Sequence, residues 1–562
     1  MKDRRSRGAV FTPPAIGRKL AEVALAGRVT PNSVCDPAAG DGRLLGQIAA
    51  LTGNKTNLFA ADIFHPSWLD GSDEDGEIIA DCDFYHGNAL LAGLDAWQDA
   101  PEAGFDLVIG NPPFRNQLER RTWLETSERA ALKERFGAVA SLYADTASMF
   151  LVHATQIAAP GGRVAMIMPL SFLTVRDAQP ARQRVLELAD LVGLWVANAQ
   201  VFPTATVQVC AIILDRKPLT CPSVVSNGAA GLHTVFPRHD TTAVVNEVDT
   251  AVDDKPSDPV ERSTWVRRWS GEAWSKADAI EVDQASLREA ATWGHLVSDL
   301  VHNTPRSTLK TAGLLGHLAS ATAGFRRQFY GLAPHVFEAP SELIHENSYG
   351  GSVKPCHPLA TTGLREVPLP VITSGLIEPG RVLWGERSTR IAGHTWQAPA
   401  LLAGSVADDS SLLRWLEARL VAKIVLATQT PVLEAAPDLS GHWVPSTPVI
   451  AVHVVPERLW HVLAVLLSPP ASWWAASTYA GAALSVNAIK VSASQVEQIP
   501  LPGDSEQWDS AALMLADAYE GSLAGCNMAA IVDAAKIMTE AYAASPKVFD
   551  WWYDRIAPKL DG

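Results

Sequence analysis

Cysteine, charge and long apolar runs are all scarce in this sequence, and each shortage excludes a class of protein. Six cysteines in 562 residues, none in a Cys-x-x-Cys pair, argue against a disulfide scaffold and against a zinc ribbon or finger. No run of about 18 apolar residues occurs, so no membrane span is expected. The basic residues near the start are followed by no apolar stretch, which argues against a secretory signal. We therefore expect a soluble protein of the cytoplasm that does not enter a membrane.

Positive charge is also in short supply. Charged residues make up 19% of the chain and the formal net charge is -15, which argues against a uniformly basic nucleic-acid binder but leaves room for a local basic groove. Hydrophobic residues make up 47%, so the chain is not mainly disordered. At roughly 150 residues per domain, the length predicts at least two domains.

Strand-like and helix-like segments alternate over the first 217 residues. Short apolar runs typical of buried strands end near residues 36, 62, 110, 169 and 214, and residues 146–157 have helical spacing. This alternation predicts an α/β fold with a parallel sheet covered on both faces. Residues 218–289 begin with a stretch rich in Thr, Ser, Pro and Asp, so we expect a linker or irregular insertion there. Residues 290–562 then form a second region.

A glycine-rich turn follows the first of these strands. Residues 36–42, D-P-A-A-G-D-G, lie between the strand and a helix, and Gly40 and Gly42 allow close backbone approach and positive φ angles. The helix N-terminus behind them offers free N–H groups. Farther along, Asp62 ends the next strand, where a carboxylate can accept hydrogen bonds from both hydroxyls of a ribose. The two features in this order favour a cofactor that contains adenosine.

The segment 105–114, F-D-L-V-I-G-N-P-P-F, runs from a buried strand into an unusual tetrapeptide. Two consecutive prolines fix φ and remove two N–H donors, which leaves rigid carbonyl acceptors beside the side-chain oxygen of Asn111. Phe114 adds a flat aromatic face. A proline-terminated strand alone explains neither the asparagine nor the aromatic residue. These residue types therefore indicate a site for an amino group attached to a planar ring or an amide.

In the order of these motifs, the N-terminal region resembles the S-adenosylmethionine-dependent N6-adenine DNA methyltransferases of the gamma group, the methylases of restriction–modification and phage-defence systems. Further segments match that family in order, namely G-A-V-F-T-P-P (8–14), H-G-N-A-L-L (86–91), S-L-Y (141–143), 159–173 and 201–214. The resemblance implies a Rossmann-like methyltransferase catalytic domain in residues 1–217, with a seven-stranded, mostly parallel sheet. Residues 290–562 would then be a mixed α/β target-recognition region that binds DNA.

By this resemblance the cofactor is S-adenosyl-L-methionine, and a defined set of residues binds it. They are Phe11, Thr12, Pro13, Asp36, Ala38, Gly40, Gly42, Asp62, Ile63, Asn88 and Asn111. The opening motif packs on the methionine part of the cofactor, Asp62 binds the ribose and Asn88 meets the adenine. The family often has Asp where this chain has Asn88, but an amide oxygen can still accept from the adenine amino group. No metal is expected, because His86 and His153 have no partners at metal-ligand spacing.

The resemblance assigns catalysis to Asn111, Pro112, Phe114 and Phe202. The Asn111 side-chain oxygen and the Pro112 carbonyl would accept the two N6 hydrogens of adenine, whose nitrogen lone pair is otherwise delocalised into the ring. That nitrogen could then attack the sulfonium methyl group in line, without a nucleophilic side chain. Because a duplex buries this amino group, the adenine must be flipped out, and Phe114 and Phe202 are expected to wall its pocket.

Double-stranded DNA is the expected partner, and the C-terminal region is expected to contact it. Arg326 and Arg327 lie beside aromatic residues, and Arg387 and Arg390 form a second basic pair, which suits contacts to phosphates and base edges. Acidic residues nevertheless outnumber basic ones in this region. Either they face away from the DNA groove, or a restriction, specificity or defence-system subunit completes the site.

Three other functions share the same motifs. A protein glutamine N5-methyltransferase and an RNA adenine methyltransferase both use the Asn-Pro-Pro segment, and a non-catalytic DNA-binding subunit could retain the fold. The first is disfavoured by the length of the second region, and the last by the intact Gly40, Asp62, Asn111 and Phe114. The leading interpretation is therefore site-specific methylation of adenine N6 in DNA, with these three as alternatives.

Overall fold

The computed structural model of the protein has an N-terminal domain built on one large sheet and a C-terminal region of smaller sheets and helices. The residues it describes are 12–53, 55–70, 81–114, 126–141, 145–197, 201–202, 207–218, 263–271, 274, 276–324, 330–340, 367–483, 488–503, 506–520 and 527–560. Among these residues, no helix has both the length and the apolar character needed to cross a membrane.

Nine strands form the sheet of the N-terminal domain. They are β1 Ser33–Asp36, β2 Asn57–Asp62, β3 Cys82–His86, β4 Phe105–Gly110, β5 Ala158–Pro169, β6 Ala189–Val196, β7 Val209–Arg216, β8 Ser263–Ser270 and β9 Lys276–Asp283. Their order across the sheet is β3-β2-β1-β4-β5-β7-β6-β8-β9. Strands β1 to β5 pair in parallel, whereas β7 is antiparallel to both β5 and β6. This confirms the predicted α/β fold with a seven-stranded, mostly parallel sheet, and it adds two further strands.

The two added strands lie in the predicted linker or irregular insertion, residues 218–289. Strand β8 pairs in parallel with β6, and β9 pairs antiparallel with β8, so the linker prediction is wrong for residues 263–283. The polar sequence of β8, S-T-W-V-R-R-W-S, hid this strand because its buried face carries Arg268. That side chain is only 3% exposed and pairs with both Asp278 and Asp299. An arginine is usually found at the surface, and the two carboxylates compensate the cost of burying its charge here.

Helices cover both faces of this sheet. They are α1 Pro14–Leu25, α2 Arg43–Thr52, α3 Thr126–Phe136, α4 Thr146–Ile157, α5 Gln179–Leu188, α6 Gln284–Glu289 and α7 Ser298–His302. Apolar side chains of α1 and α2 pack on one face of the strands, and those of α3, α4 and α5 pack on the other. Neighbouring strand residues such as Val34 and Cys35 in β1 point to opposite faces. Because both faces are covered, β4, β5 and β7 are apolar along most of their length.

The C-terminal region is mixed α/β, as predicted. Its strands are β10 Ala319–Ala323, β11 Phe337–Glu338, β12 Pro368–Ile372, β13 Ile377–Glu378, β14 Arg381–Val382, β15 Thr389–Ile391, β16 His394–Trp396, β17 Pro399–Leu402, β18 Lys423–Leu426, β19 Gln429–Thr430, β20 Ala435–Asp438, β21 Val444–Pro445, β22 Ile450–Val454 and β23 Ile489–Lys490. Its helices are α8 Ser410–Glu417, α9 Leu459–Leu466, α10 Pro469–Thr478, α11 Ala493–Val496, α12 Glu506–Glu520, α13 Met528–Ala541 and α14 Pro546–Leu560. Two four-stranded sheets form, one in the order β10-β22-β18-β20 and the other in the order β11-β17-β12-β21. The longer helices share one apolar core with the β10-β22-β18-β20 sheet.

The two regions meet through the segment that follows α6. The backbone N–H of Trp293 donates to the carbonyl of Leu173 at 2.7 Å, and the Thr292 hydroxyl donates to the carbonyl of Thr478 in α10, also at 2.7 Å. Ala480, just after α10, is buried in the core on the α3–α5 side of the large sheet. The C-terminal region is therefore packed directly against the N-terminal domain.

We expect Arg268→Met to destabilise the protein by roughly 2–3 kcal/mol, because it removes a buried guanidinium that donates to the Leu296 carbonyl and pairs with the half-buried Asp299 and the exposed Asp278. The neighbouring Arg267 is exposed on the same strand and is the matched control. Arg267→Met should change the free energy of unfolding by less than about 0.5 kcal/mol. Urea denaturation of both variants tests this, and equal stabilities would show that the Arg268 ion pairs contribute nothing.

Candidate functional site

The carboxyl end of β1 opens into the predicted glycine turn. Asp36, only 1% exposed, ends the strand, and its Oδ1 accepts a hydrogen bond from the Ala38 N–H at 3.0 Å. Gly40 and Gly42 both have positive φ, 57° and 72°. A Cβ on Gly42 would lie 2.8 Å from the indole ring of Trp68, so only glycine fits there. The turn is therefore a compact backbone cradle in front of α2.

The Asp62 carboxylate at the end of β2 is joined to this turn. Its Oδ2 accepts from the Gly40 N–H at 3.0 Å and its Oδ1 accepts from the Phe64 N–H at 2.9 Å. The indole N–H of Trp68 donates to the Gly40 carbonyl at 3.2 Å and closes the turn from the other side. Ile63 is exposed next to Asp62. The predicted ribose-binding acid and the glycine turn thus form one unit, and Trp68 is a part of it that sequence patterns did not reveal.

Burial raises the pKa of Asp36 to about 8. The hydrogen bond from Ala38 works in the opposite direction, while the nearby negative charges of Asp62 and Asp41 raise the pKa further. Three carboxyl groups therefore surround the turn, and the innermost one holds its proton up to neutral pH. The Arg43 guanidinium pairs with the Asp41 carboxylate at 3.2 Å and balances one of the other two charges.

Asn88, expected to meet an adenine ring, begins a short turn after β3. Its Oδ1 accepts from the Leu90 N–H at 3.1 Å, and its Nδ2 donates to Oε1 of Glu128 in α3 at 3.2 Å. The amide is therefore held in one orientation, with the backbone on one side and a carboxylate on the other. Glu128 had no motif of its own in the sequence, because it comes from a separate helix.

The Asn111 tetrapeptide lies at the carboxyl end of β4, beside β1. Because β1 and β4 are paired in parallel, a Cβ on Gly110 would lie only 3.2 Å from Oδ1 of Asp36. Pro112 is buried and Asn111 is half-buried, with its Nδ2 donating to the hydroxyl of Thr12 at 3.1 Å. The structure therefore brings the opening motif, the glycine turn and the tetrapeptide together at one edge of the sheet.

The two predicted aromatic walls occupy different places. Phe114 is half-buried, whereas Phe202 is fully buried and its ring lies 6.5 Å from that of Phe114, nearly edge to face at 65°. Phe202 follows the end of β6, at the same edge of the sheet as Asn111. The structure thus places Phe202 behind Phe114 in the core, and a role as a second wall of a base pocket stays a prediction.

Several predicted residues lie elsewhere. Phe11, Arg326 and Arg327 are outside the described residues. Arg387 pairs with the buried Glu378 and also donates to a backbone carbonyl, so it has a structural partner that the predicted DNA contact did not foresee. Arg390 is exposed on β15. The predicted contacts of these four arginines with DNA therefore stay predictions, and Arg387 also has partners within the C-terminal region.

The order of the first seven strands, the antiparallel β7 and the motifs at the ends of β1, β2 and β4 agree with the Rossmann-like methyltransferase fold that the sequence predicts. Residues 62–202 match the family described as the Eco57I restriction-modification methylase. This confirms the predicted resemblance to restriction–modification methylases over the segment that carries Asp62 and Asn111.

Comparison with known proteins finds similar sequences and structures. A type II restriction enzyme and methyltransferase of Methanocaldococcus jannaschii is 31% identical over 117 residues, which are 21% of this chain and 9% of that protein's length. A class I S-adenosylmethionine-dependent methyltransferase from Listeria monocytogenes is 17% identical and covers 38% of this chain and 62% of its own, with a TM-score of 0.31. The structure of a DrdV–DNA complex covers 91% of this chain and 57% of its own at 12% identity, with a TM-score of 0.43. With TM-scores this low, the structural likenesses do not assign a function.

We expect Asp36 to make stability depend on pH in a direction opposite to that of an ordinary carboxyl group. Its pKa rises from 3.8 to about 8 on folding, so the protonated form stabilises the fold below pH 4 and this contribution is lost as the pH rises towards 8. Asp36→Asn is neutral throughout. Relative to this variant, the wild-type protein should lose up to about 1.4 kcal/mol of unfolding free energy per pH unit in that window.

Urea denaturation of the wild-type protein and Asp36→Asn at several pH values between 4 and 9 measures the difference. If the two stability curves run parallel, folding leaves the pKa of Asp36 unchanged, contrary to this expectation.

Proposed function

We propose that this protein transfers a methyl group from S-adenosylmethionine to the N6 amino group of adenine in a specific sequence of double-stranded DNA. It would act as the modification enzyme of a restriction–modification or phage-defence system. The observation that carries the proposal is the position of Asn111. It follows β4, whose last residue Gly110 lies against Asp36 at the start of the glycine turn, and the half-buried Phe114 ends the same tetrapeptide.

The glycine turn suits the proposed cofactor in shape and in charge. The positive φ angles of Gly40 and Gly42 bring the backbone close to any ligand above them, and the first N–H groups of α2 follow. Asp62 would hold the ribose, and Asn88 and Ile63 would flank the adenine. A positively charged group of the cofactor near the turn would favour the ionised form of Asp36 and so be matched by its charge. When bound, the cofactor supplies the electrophilic methyl group.

Asn111 and Pro112 would position the amino group that accepts the methyl. Each offers an oxygen acceptor, and together they can take both hydrogens of an amino group attached to a planar ring. This holds the nitrogen lone pair out of the ring plane and directs it towards the glycine turn. Such preorganised acceptors lower the barrier without a covalent step on the protein.

Phe114 would stack on the adenine once it has left the duplex. Its ring is half-buried and is backed by Phe202, so it offers a firm face at the sheet edge. Extruding a paired base costs a few kcal/mol, and stacking on an aromatic ring recovers about 1–3 kcal/mol of it. Stacking on Phe114 could therefore offset much of the free energy needed to flip the adenine out of the duplex.

Methyl transfer from labelled S-adenosylmethionine to three substrates tests the proposal. The purified protein is offered DNA, RNA and total protein from a host without methylation, and the modified positions in DNA are then mapped. N6-methyladenine in one recurring DNA sequence is the expected product. Label in RNA or on glutamine amides would instead support the corresponding alternative and refute DNA methylation.

We expect Asn111→Ala to slow methyl transfer by on the order of 10²-fold or more, because it removes one of two acceptors that act on the reacting nitrogen. Turnover should suffer more than cofactor affinity, since the interaction strengthens as charge develops. Single-turnover kinetics and calorimetry measure the two effects separately. Near-normal single-turnover methylation by Asn111→Ala would contradict the proposed chemistry.

Phe114→Ala should show a different dependence on the DNA. Because this variant loses the stacking face for the flipped base, its rate should recover in part when the target adenine is mispaired and easy to extrude. Asn111→Ala should remain slow on the same mismatched DNA, which makes it the control. Equal deficits of Phe114→Ala on paired and mispaired targets would rule out the stacking role.

A further inference from the structure

A buried hydroxyl group contacts the side chain on which the proposed mechanism depends. Thr12 is only 4% exposed and lies just before α1, and its Oγ1 accepts the hydrogen bond from the Asn111 amide nitrogen at 3.1 Å. The two residues meet although they are far apart in the sequence, because α1 packs against β4 and β5. The contact is thus a product of the tertiary structure.

The Asn111 amide has two unlike ends, and this makes the contact important. Its oxygen only accepts hydrogen bonds and its nitrogen only donates them. An amino group to be methylated can only be held by the oxygen, so the nitrogen must find an acceptor on the other side. Loss of an acceptor for either hydrogen of the nitrogen would make the productive orientation less favourable, because Asn111 is half-buried. The Thr12 hydroxyl is one acceptor that the structure provides.

The backbone of Thr12 is fixed from two directions. Pro13 follows it, and the Pro13 carbonyl accepts from the Ile16 and Gly17 N–H groups, each at 3.0 Å, to begin α1. On the other side, the Arg43 guanidinium donates to the Thr12 carbonyl at 2.7 Å. Thr12 therefore cannot move away from Asn111 without disturbing the start of a helix.

Arg43 links this arrangement to the glycine turn. It is the first residue of α2, and its guanidinium pairs with the Asp41 carboxylate at 3.2 Å, within the turn itself. A continuous set of contacts thus runs from Asp41 through Arg43 and Thr12 to Asn111. It joins the proposed cofactor cradle to the proposed catalytic amide.

We propose that Thr12 is a positioning residue for methyl transfer. Its hydroxyl accepts from the Asn111 amide nitrogen, so that nitrogen keeps a partner while the amide oxygen faces the amino group that accepts the methyl. Arg43 supports this by fixing the Thr12 backbone. The role differs from the cofactor contact that the family resemblance implies for Thr12. It rests on the proposed function of Asn111.

Thr12→Val tests the role because valine keeps the shape and removes the hydroxyl. At saturating cofactor and substrate, its single-turnover rate should fall by about 10- to 100-fold, the effect of leaving one buried donor unsatisfied. Cofactor affinity, measured by calorimetry, should change much less. Thr12→Ser restores the hydroxyl and should recover most of the rate. Thermal melting of each variant checks that the fold is intact.

A double-mutant cycle separates positioning from a general structural effect. In the Asn111→Ala background there is no amide to orient, so adding Thr12→Val should cause little further loss. Three results would overturn the proposal. They are a wild-type rate for Thr12→Val, a deficit that disappears at high cofactor concentration, and a full additional loss on top of Asn111→Ala.

The Arg43 contact has its own matched test. Arg43→Met keeps the aliphatic stem and should slow single-turnover transfer, because the Thr12 carbonyl loses its donor. Arg18, on α1, is 64% exposed and pairs at the surface with Glu22, so Arg18→Met is the control and should leave the rate unchanged. Equal rates for the two variants would remove Arg43 from the proposal.

The Thr12 proposal and the proposed DNA substrate can fail independently of each other. If the wild-type protein methylates RNA or glutamine amides instead of DNA, the proposed substrate is wrong, yet the Thr12 variants can be measured on that substrate with the same expectations. Any amino group held by Asn111 requires the same amide orientation. Absence of transfer to all three substrates would overturn both proposals.

Discussion

The parallel pairing of β1 with β4 is the constraint on which the candidate site depends. It sets Val34 beside Leu107 and Cys35 beside Val108, so that both strands end at the same edge. The glycine turn follows one strand end and the Asn111 tetrapeptide follows the other, within reach of each other. If the register slipped by one residue, the side chains of β1 would change faces, and the apolar packing on both sides of the sheet prevents this. The core of the domain thus fixes the distance between the proposed cofactor and the proposed substrate.

Electrostatics at this edge complement the packing. The chain is acidic overall, and a buried Asp36 lies within a group of carboxylates at the glycine turn. Burial favours the protonated form of Asp36, and a positively charged ligand would favour the ionised form. Under the proposed function, contacts to DNA phosphates would lie on other surfaces, among them the C-terminal region packed on the domain.

Much of this arrangement could be predicted from the sequence, because the signals are local. An apolar run followed by D-P-A-A-G-D-G, and another followed by N-P-P-F, specify two buried strands and the turns after them. Prediction was less successful where a charge is buried. The Thr-, Ser-, Pro- and Asp-rich segment predicts a linker over 218–289, yet β8 forms there, and Asp278 and Asp299 pair with the buried Arg268. The exposed Arg387 pairs with the buried Glu378, a contact that no local pattern indicates, and its predicted role at DNA stays a prediction.

The sequence by itself determined the class of the sheet and which strand ends carry polar and glycine residues, since these follow from apolar periodicity and from the fixed φ of proline. Only the tertiary structure decided what those residues touch. It placed the Thr12 hydroxyl against Asn111, Glu128 against Asn88, and Trp68 under the glycine turn. These contacts join separate helices and strands, and their distances depend on how α1 and α3 pack on the sheet. No local pattern encodes that packing, because it arises from the summed burial of many apolar side chains across the whole domain.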